Sequence, residues 1–223
     1  MEDATAVGGR FLAQVKRLIH VGANSGQERD LYAAHGVEVL WIEALPETFA
    51  KLIDNIRGVP RQRAIRALVT DKDGADYVFH VANNEGESSS ILDLAQHRDI
   101  WPAVLFERDV ALRSTTLDTL LGDDLRHDAL VMDTQGSELL VLQGARRLLR
   151  HVKFVKTEAA DFESYVGCAK VDDITSFLAR HGFALIGKDK FAERAAGGTY
   201  FELLFEKRSR RDMARDPHRL AER

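Results

Sequence analysis

Short apolar runs rich in Val, Leu and Ile alternate along this chain with longer amphipathic stretches, and that alternation constrains the fold most. Residues 18–21 read as a buried strand that stops at Gly22, and residues 26–35 follow as a helix, with Gly36 suited to its C-terminal end. Residues 37–42 form a second strand, and Pro46 sits where the first turn of a helix reaching to residue 57 accepts proline. Residues 64–69 are predicted as a third strand, 71–74 as a turn, 77–81 as another extended run and 83–90 as a loop. Residues 91–113 read as partly helical, interrupted at Pro102. Residues 129–132 are a buried strand ending at Asp133. Residues 137–150 form an amphipathic helix with Leu139, Leu142, Ala145 and Leu149 on one face. A strand over 152–156, a helix over 171–180 closed by Gly182, and strands over 183–186 and 200–205 complete the series. Strands separated by helices predict an α/β fold, a doubly wound and mostly parallel sheet sandwiched by helices.

The 223 residues suffice for one domain with its own core. The single cysteine, Cys168, excludes a disulfide framework and fits a reducing, cytoplasmic setting. No run of residues is apolar enough to span a membrane, and the first ten residues, with Glu2 and Asp3, do not read as a secretory signal. The net charge of −4 is unevenly placed. Residues 207–223 hold seven Lys/Arg against Asp212, Asp216 and Glu222, so this tail carries +4 and the remaining 206 residues carry −8. An acidic body argues against a nucleic-acid partner, because such affinity rests on neutralising phosphates. The expected organisation is an N-terminal extension over 1–17, a single domain over 18–206, and a basic, flexible tail over 207–223.

In doubly wound sheets ligands bind beyond the carboxyl ends of the strands. After the first strand comes Gly22-Ala23-Asn24-Ser25-Gly26, after the second Glu43, after the third Ala67 and Leu68, after the fourth Asp133, and near the end of the fifth Glu158. A glycine turn lets backbone amides approach a ligand, and an acid at the next strand end can accept hydrogen bonds from both ribose hydroxyls. The pair therefore points to an adenosine-containing cofactor; the alternative is a tight turn and a solvated acid. A dinucleotide fingerprint has G-x-G-x-x-G spacing, but Asn24 stands at the second glycine, which is the one that lets backbone touch a pyrophosphate. That favours a cofactor without a pyrophosphate, and S-adenosyl-L-methionine fits.

Several segments resemble the FkbM family of S-adenosylmethionine-dependent methyltransferases. The run from Ile19 through Gly22-Ala23-Asn24-Ser25-Gly26 to Gln27 is similar to the family's first motif, and Glu43-Ala44-Leu45-Pro46 to its second. Ser88-Ser89-Ser90-Ile91-Leu92, with His97 after it, resembles the family's serine-rich loop and histidine; Thr116-Leu117-Asp118 resembles its TLD segment. Asp133-Thr134-Gln135-Gly136-Ser137-Glu138, continuing to Gly144-Ala145, is similar to its D-x-x-G-x-E-x-x-V-L-x-G-A signature. The resemblance spans about residues 18 to 206. It implies a class I methyltransferase fold with an antiparallel last strand, and O-methylation of a sugar, glycolipid or polyketide-type hydroxyl. Thr134-Gln135 departs from the pair found in many members, and no role is carried over to Gln135.

Under that resemblance Gly22 to Gly26, Glu43, Ala67, Leu68 and Asp133 hold the cofactor, and Ser89, Ser90, Glu138 and Glu158 face a small-molecule or glycan acceptor. Asp133 is expected to orient the acceptor or take its proton, and the alternative reading, a cap of the following helix, is compatible with either. His97 is the first candidate for a general base, since neutral histidine suits that role near pH 7; the alternative is a structural histidine. Glu158 either lines the acceptor pocket or is a solvated strand end. No histidine spacing suggests a metal site. With little chain outside the cofactor domain, the acceptor is expected to meet the 83–113 loops or a second subunit in a homodimer. Two competing readings are a Rossmann-type NAD-dependent oxidoreductase and a cofactor-binding scaffold without turnover.

Overall fold

A computed structural model describes residues 11–208. Its ten strands are β1 (Arg17–Val21), β2 (Glu38–Glu43), β3 (Gln62–Arg66), β4 (Leu68–Val69), β5 (Asp76–Ala82), β6 (Phe106–Thr115), β7 (Ala129–Met132), β8 (Phe154–Ala160), β9 (Phe183–Glu193) and β10 (Thr199–Lys207). The helices are α1 (Arg29–Ala34), α2 (Pro46–Asn55), α3 (Leu117–Leu121), α4 (Glu138–Gln143) and α5 (Val171–Arg180). Seven strands form one sheet in the order β3-β2-β1-β7-β8-β10-β9. The first five run parallel, and β10, the last strand, runs antiparallel to both β8 and β9, as the family resemblance implies.

The central strands read as continuous apolar runs because both of their faces are covered. Ile19, Val21, Leu40 and Ile42 point into one core with Val141, Leu142 and Leu178. Leu18, Val39 and Trp41 point into the other with Phe11, Tyr32 and Leu52. Burial of each such side chain contributes about 1.5–3 kcal/mol.

Three sequence expectations are corrected. The strand predicted over 64–69 is split. Ala67 N–H still bonds the Glu43 carbonyl at 3.0 Å, but the chain then leaves the large sheet. β4 joins β6 and β5 in a separate three-stranded sheet, order β4-β6-β5. Second, residues 91–113 are mainly strand. Only Gln96–Asp99 turns, as a short 3₁₀ segment, while β6 runs ten residues along β5. Its period-two pattern is masked at its start, where Glu107, Arg108 and Asp109 are exposed in a row beside an irregularity in the pairing with β5, and alternation begins only at Val110. Third, the helix predicted over 137–150 breaks at Gly144. A Cβ there would lie 2.1 Å from the Thr70 carbonyl, so the chain passes that point only as glycine, and the next turn is a 3₁₀ segment at Leu148–Arg150. Asp118 caps that turn, accepting from Arg147 and Leu148 N–H. Leu142, Ala145 and Leu149 are buried as the periodicity requires, and Leu139 packs half-buried against the same core.

Lys207, assigned to the tail by its charge, is the last residue of β10, and its ammonium donates to the Leu149 and His181 carbonyls. The rest of the tail from residue 209, and residues 1–10 of the expected N-terminal extension, lie outside the described residues. Among the described residues no helix is long and apolar enough to cross a membrane.

Candidate active site

A cleft of about 530 Å³ opens at the carboxyl ends of β1, β2, β7 and β8. Its floor is the loop after β1. Gly22 and Ala23 N–H both donate to the Ile42 carbonyl, which ties the loop to β2. Gly22 has a φ of +77°, and a Cβ there would sit 1.8 Å from the Asp133 carbonyl, so only glycine lets the loop lie against the end of β7. Asn24 also takes a left-handed conformation, with φ 43°, and its side-chain oxygen accepts from Ser25 N–H. Gly22, Ala23 and Asn24 line the cleft. Ser25 and Gly26 do not: the Ser25 carbonyl accepts from the Asn55 amide, and Gly26 backs onto Leu52 of α2. Those two residues shape the loop from behind.

Glu43, the last residue of β2, reaches into the loop. Its carboxylate accepts Asn24 N–H at 2.9 Å and Leu45 N–H at 2.8 Å, and only 7% of the residue is exposed. Burial pushes its carboxyl up to about 7, against the opposing pull of those backbone N–H groups. Ala67 and Leu68 line the same end of the cleft, where the chain crosses from the large sheet to the small one.

The other end gathers Asp133, Thr134, Gln135, Glu158, Ser88, Ser89 and His97 with Trp101, Phe191 and Tyr200. Asp133 is not the cap of α4, which begins five residues later behind Ser137. Instead the Glu138 carboxylate folds back and accepts Thr134 and Gly136 N–H at 2.9 and 3.1 Å, fixing the loop that carries Asp133. Glu138 is 3% exposed, faces away from the main cleft, and is raised by burial above the ordinary carboxylate range. Ser90 also stays out of the cleft, donating to the Gln135 carbonyl and accepting Leu92 N–H. Ser89 lines the cleft while accepting Ala82 N–H.

His97 is buried among Trp101, Tyr165 and Tyr200, and burial lowers its pKa to about 4, so the ring is neutral at pH 7. Its Nε2 lies 3.3 Å from the Ser88 hydroxyl, and its buried Nδ1 has no hydrogen-bond partner. Gln135, given no role from sequence, bridges two walls: its amide donates to Asp133 at 2.6 Å and its carbonyl accepts the Tyr165 hydroxyl at 2.7 Å. The sequence offers no local signal for that bridge, because Tyr165 is 30 residues away. Trp101 and Tyr200 were missed for the same reason.

The electrostatics are one-sided. Glu28, Glu43, Glu87, Asp133 and Glu158 line the cleft, and among the described lining residues there is no Lys or Arg. Such a cleft favours a cationic ligand over a phosphorylated one, most strongly once Glu43 and Asp133, both raised to about 7, are ionised.

A reversed last strand on a doubly wound sheet, with a glycine loop and an acid at adjacent strand ends, is the architecture of the S-adenosylmethionine-dependent methyltransferase class. The N-terminal domain of EvdMO1, solved in the presence of SAH and D-fucose, superposes with a TM-score of 0.53 at 11% identity, covering 93% of this chain and 84% of that one. The METTL16 methyltransferase domain gives 0.50 at 10% identity over 87% and 60%. These likenesses establish the fold. The methyltransferase FkbM domain model matches residues 20–185, and the chain belongs to that family. A curated relative, 2-O-methyltransferase NoeI of Sinorhizobium fredii, is 26% identical over 160 residues, which are 67% of this chain; the match spans 65% of the relative's length.

Proposed function

We propose that the chain is an S-adenosylmethionine-dependent O-methyltransferase acting on a hydroxyl of a sugar or similarly small polyhydroxylated acceptor. The observation that carries the proposal is the acid-lined cleft over the Gly22 loop, five carboxylates without a Lys or Arg among its described lining residues. When bound, the cofactor supplies an activated methyl group on a positively charged sulfur. Gly22, Ala23 and Asn24 would support its amino-acid part, Glu43 its ribose, and Ala67 and Leu68 would flank its adenine. Glu43 accepts Asn24 N–H on one oxygen and Leu45 N–H on the other, with Ala44 N–H also drawn to the carboxylate, and its cleft-facing side would meet the ribose hydroxyls. Asp133, Glu158 and the neutral His97 face the acceptor end, where Trp101 and Tyr200 offer apolar faces to a sugar ring. The relative's name, a 2-O-methyltransferase, supports a hydroxyl acceptor. The NAD-dependent reading is disfavoured, because two phosphates would enter a cleft of five acids.

Thermal melting tests this directly. Ligand at about 100 times its Kd stabilises by roughly 2.7 kcal/mol, a shift of roughly 5–10 °C for a chain of this size. S-adenosylmethionine and S-adenosylhomocysteine are expected to give that shift and NAD none. A shift with NAD alone would overturn the proposal.

A further inference from the structure

Asp133 and Glu158 stand on neighbouring parallel strands. The β7–β8 register ends at Met132 opposite Thr157, so Asp133 and Glu158 occupy the next rung, side by side and on the same face of the sheet. Strands so paired are about 4.8 Å apart. Both side chains border the main cleft and a second, small chamber behind it, of about 10 Å³, room for about one water. The nearest cation is committed elsewhere: Lys156, two residues before Glu158, donates to Glu202 of β10 at 2.8 Å. Glu202 is itself in register with Glu158, so the row of acids continues away from the cleft, but only Glu202 has a counter-ion. Gln135 donates to one oxygen of Asp133 and leaves the other unclaimed. An independent observation marks the chamber as a place where a hydrogen-bonding partner belongs. Tyr200, 7% exposed, borders both spaces, and its buried hydroxyl lies near Ser164 without completing a hydrogen bond.

We propose that Asp133 and Glu158 act as one unit that holds a single proton between them at neutral pH, and that its ionised member is the base that receives the acceptor's proton. Two laterally adjacent carboxylates in a buried site with no free cation cannot both ionise cheaply, so the second proton is retained. Burial pushes both carboxyls upward; Glu158 is raised further by Asp133 and Glu202, and Asp133 by Glu138 and Glu28. The remaining charged or titratable groups facing the pair are Glu28 ahead of α1, Glu138 of α4, Lys156 of β8 and Glu202 of β10, together with Tyr165 and Tyr200. Three of these are carboxylic acids and one is a cation, so the surroundings reinforce proton retention. In the reaction, the acceptor hydroxyl passes its proton to the ionised carboxylate as its oxygen bonds to the methyl carbon. The carbon–sulfur bond breaks with its electron pair on sulfur. One positive and one negative charge vanish together, and the cleft keeps its charge balance. His97, with its pKa held near 4 by burial, is then a wall of the acceptor site and not its base.

The chemistry rests on the methyltransferase reading, but the test does not. Carboxyl ¹³C NMR of the ligand-free protein, labelled at Asp and Glu, follows each group through pH 4 to 9. In the wild type one member of the pair is expected to remain protonated above pH 6. In Glu158→Gln the midpoint of Asp133 should fall by about one to two pH units, the size expected for a like charge at this separation. In Asp133→Asn the midpoint of Glu158 should fall likewise, and this reciprocal variant decides the matter if the first does not fold. Asp73, remote and held low by Thr116 N–H, serves as the internal control. Unchanged midpoints in a folded variant would overturn the pairing and leave the methyltransferase reading standing. Absence of cofactor binding alongside coupled midpoints would do the reverse.

Discussion

Glu43 carries two duties that a single substitution separates by pH. Its carboxyl titrates near 7 in the folded chain against about 4.5 when solvated. The folded state therefore holds this proton more tightly. The stability of the neutral, buried group is complete below pH 4.5 and is lost as pH rises through 7. A shift of this size is worth about 3 kcal/mol in total, of which about 2.5 kcal/mol falls between pH 5 and pH 8. Glu43→Gln removes that pH dependence. It also turns an N–H₂ group toward one of the two backbone donors, Asn24 N–H or Leu45 N–H, at a cost of about 1–3 kcal/mol at every pH. The variant is thus expected to be less stable than wild type at pH 5, and by pH 8 the gap should close or reverse. Urea unfolding of both proteins at pH 5, 6.5 and 8 without ligand measures the change, and every other titrating group cancels in the comparison. A difference that stays constant across the three pH values would refute the buried-carboxyl assignment.

Gly22→Ala places a methyl against the Asp133 carbonyl in a left-handed conformation, so a loss of about 2–4 kcal/mol and of S-adenosylhomocysteine binding is expected, read by melting with and without that ligand. Glu138→Ala should cost about 3 kcal/mol in denaturant unfolding, whereas Glu138→Gln, which keeps the one oxygen that accepts both Thr134 and Gly136 N–H, should retain most of that stability. Equal losses in the two would contradict the clamp. Ionisation of Glu43, raised to about 7, and of Asp133, also raised, should strengthen S-adenosylmethionine binding between pH 6 and 8 by more than it strengthens S-adenosylhomocysteine binding, because only the former carries the sulfonium charge. Calorimetric titration of both ligands at the two pH values reads the difference.

The parallel half of the large sheet was legible because residues 18–21, 37–42 and 129–132 are short apolar runs punctuated by Gly22, Glu43 and Asp133, and the same punctuation located the cleft. The small sheet was not legible. β4 is only two residues long, and β6 opens on three consecutive exposed charges, Glu107 to Asp109, that interrupt its period. The break at Gly144 depends on the Thr70 carbonyl, a contact across 74 positions that no local pattern encodes. Within the site, chain position told which residues stand at strand ends but not which way they turn. Ser90 and Glu138, read as acceptor contacts, face inward as braces, while Gln135, passed over, joins Asp133 to Tyr165. The lateral pairing of Asp133 with Glu158 needed the register of β7 on β8, which the sequence alone does not supply.

If the acid-lined cleft over the Gly22 loop holds S-adenosylmethionine with Glu43 on its ribose, tight binding of that cofactor or its product requires the Glu43 carboxylate. Isothermal titration of the wild-type protein and of Glu43→Ala with S-adenosylhomocysteine at pH 7.5 tests this requirement most directly. One site per chain is expected in the wild type, with binding lost or weakened at least about tenfold in the variant, the equivalent of about 1.4 kcal/mol. Absence of binding to the wild type, or equal affinity in a folded Glu43→Ala protein, would contradict that placement of the cofactor.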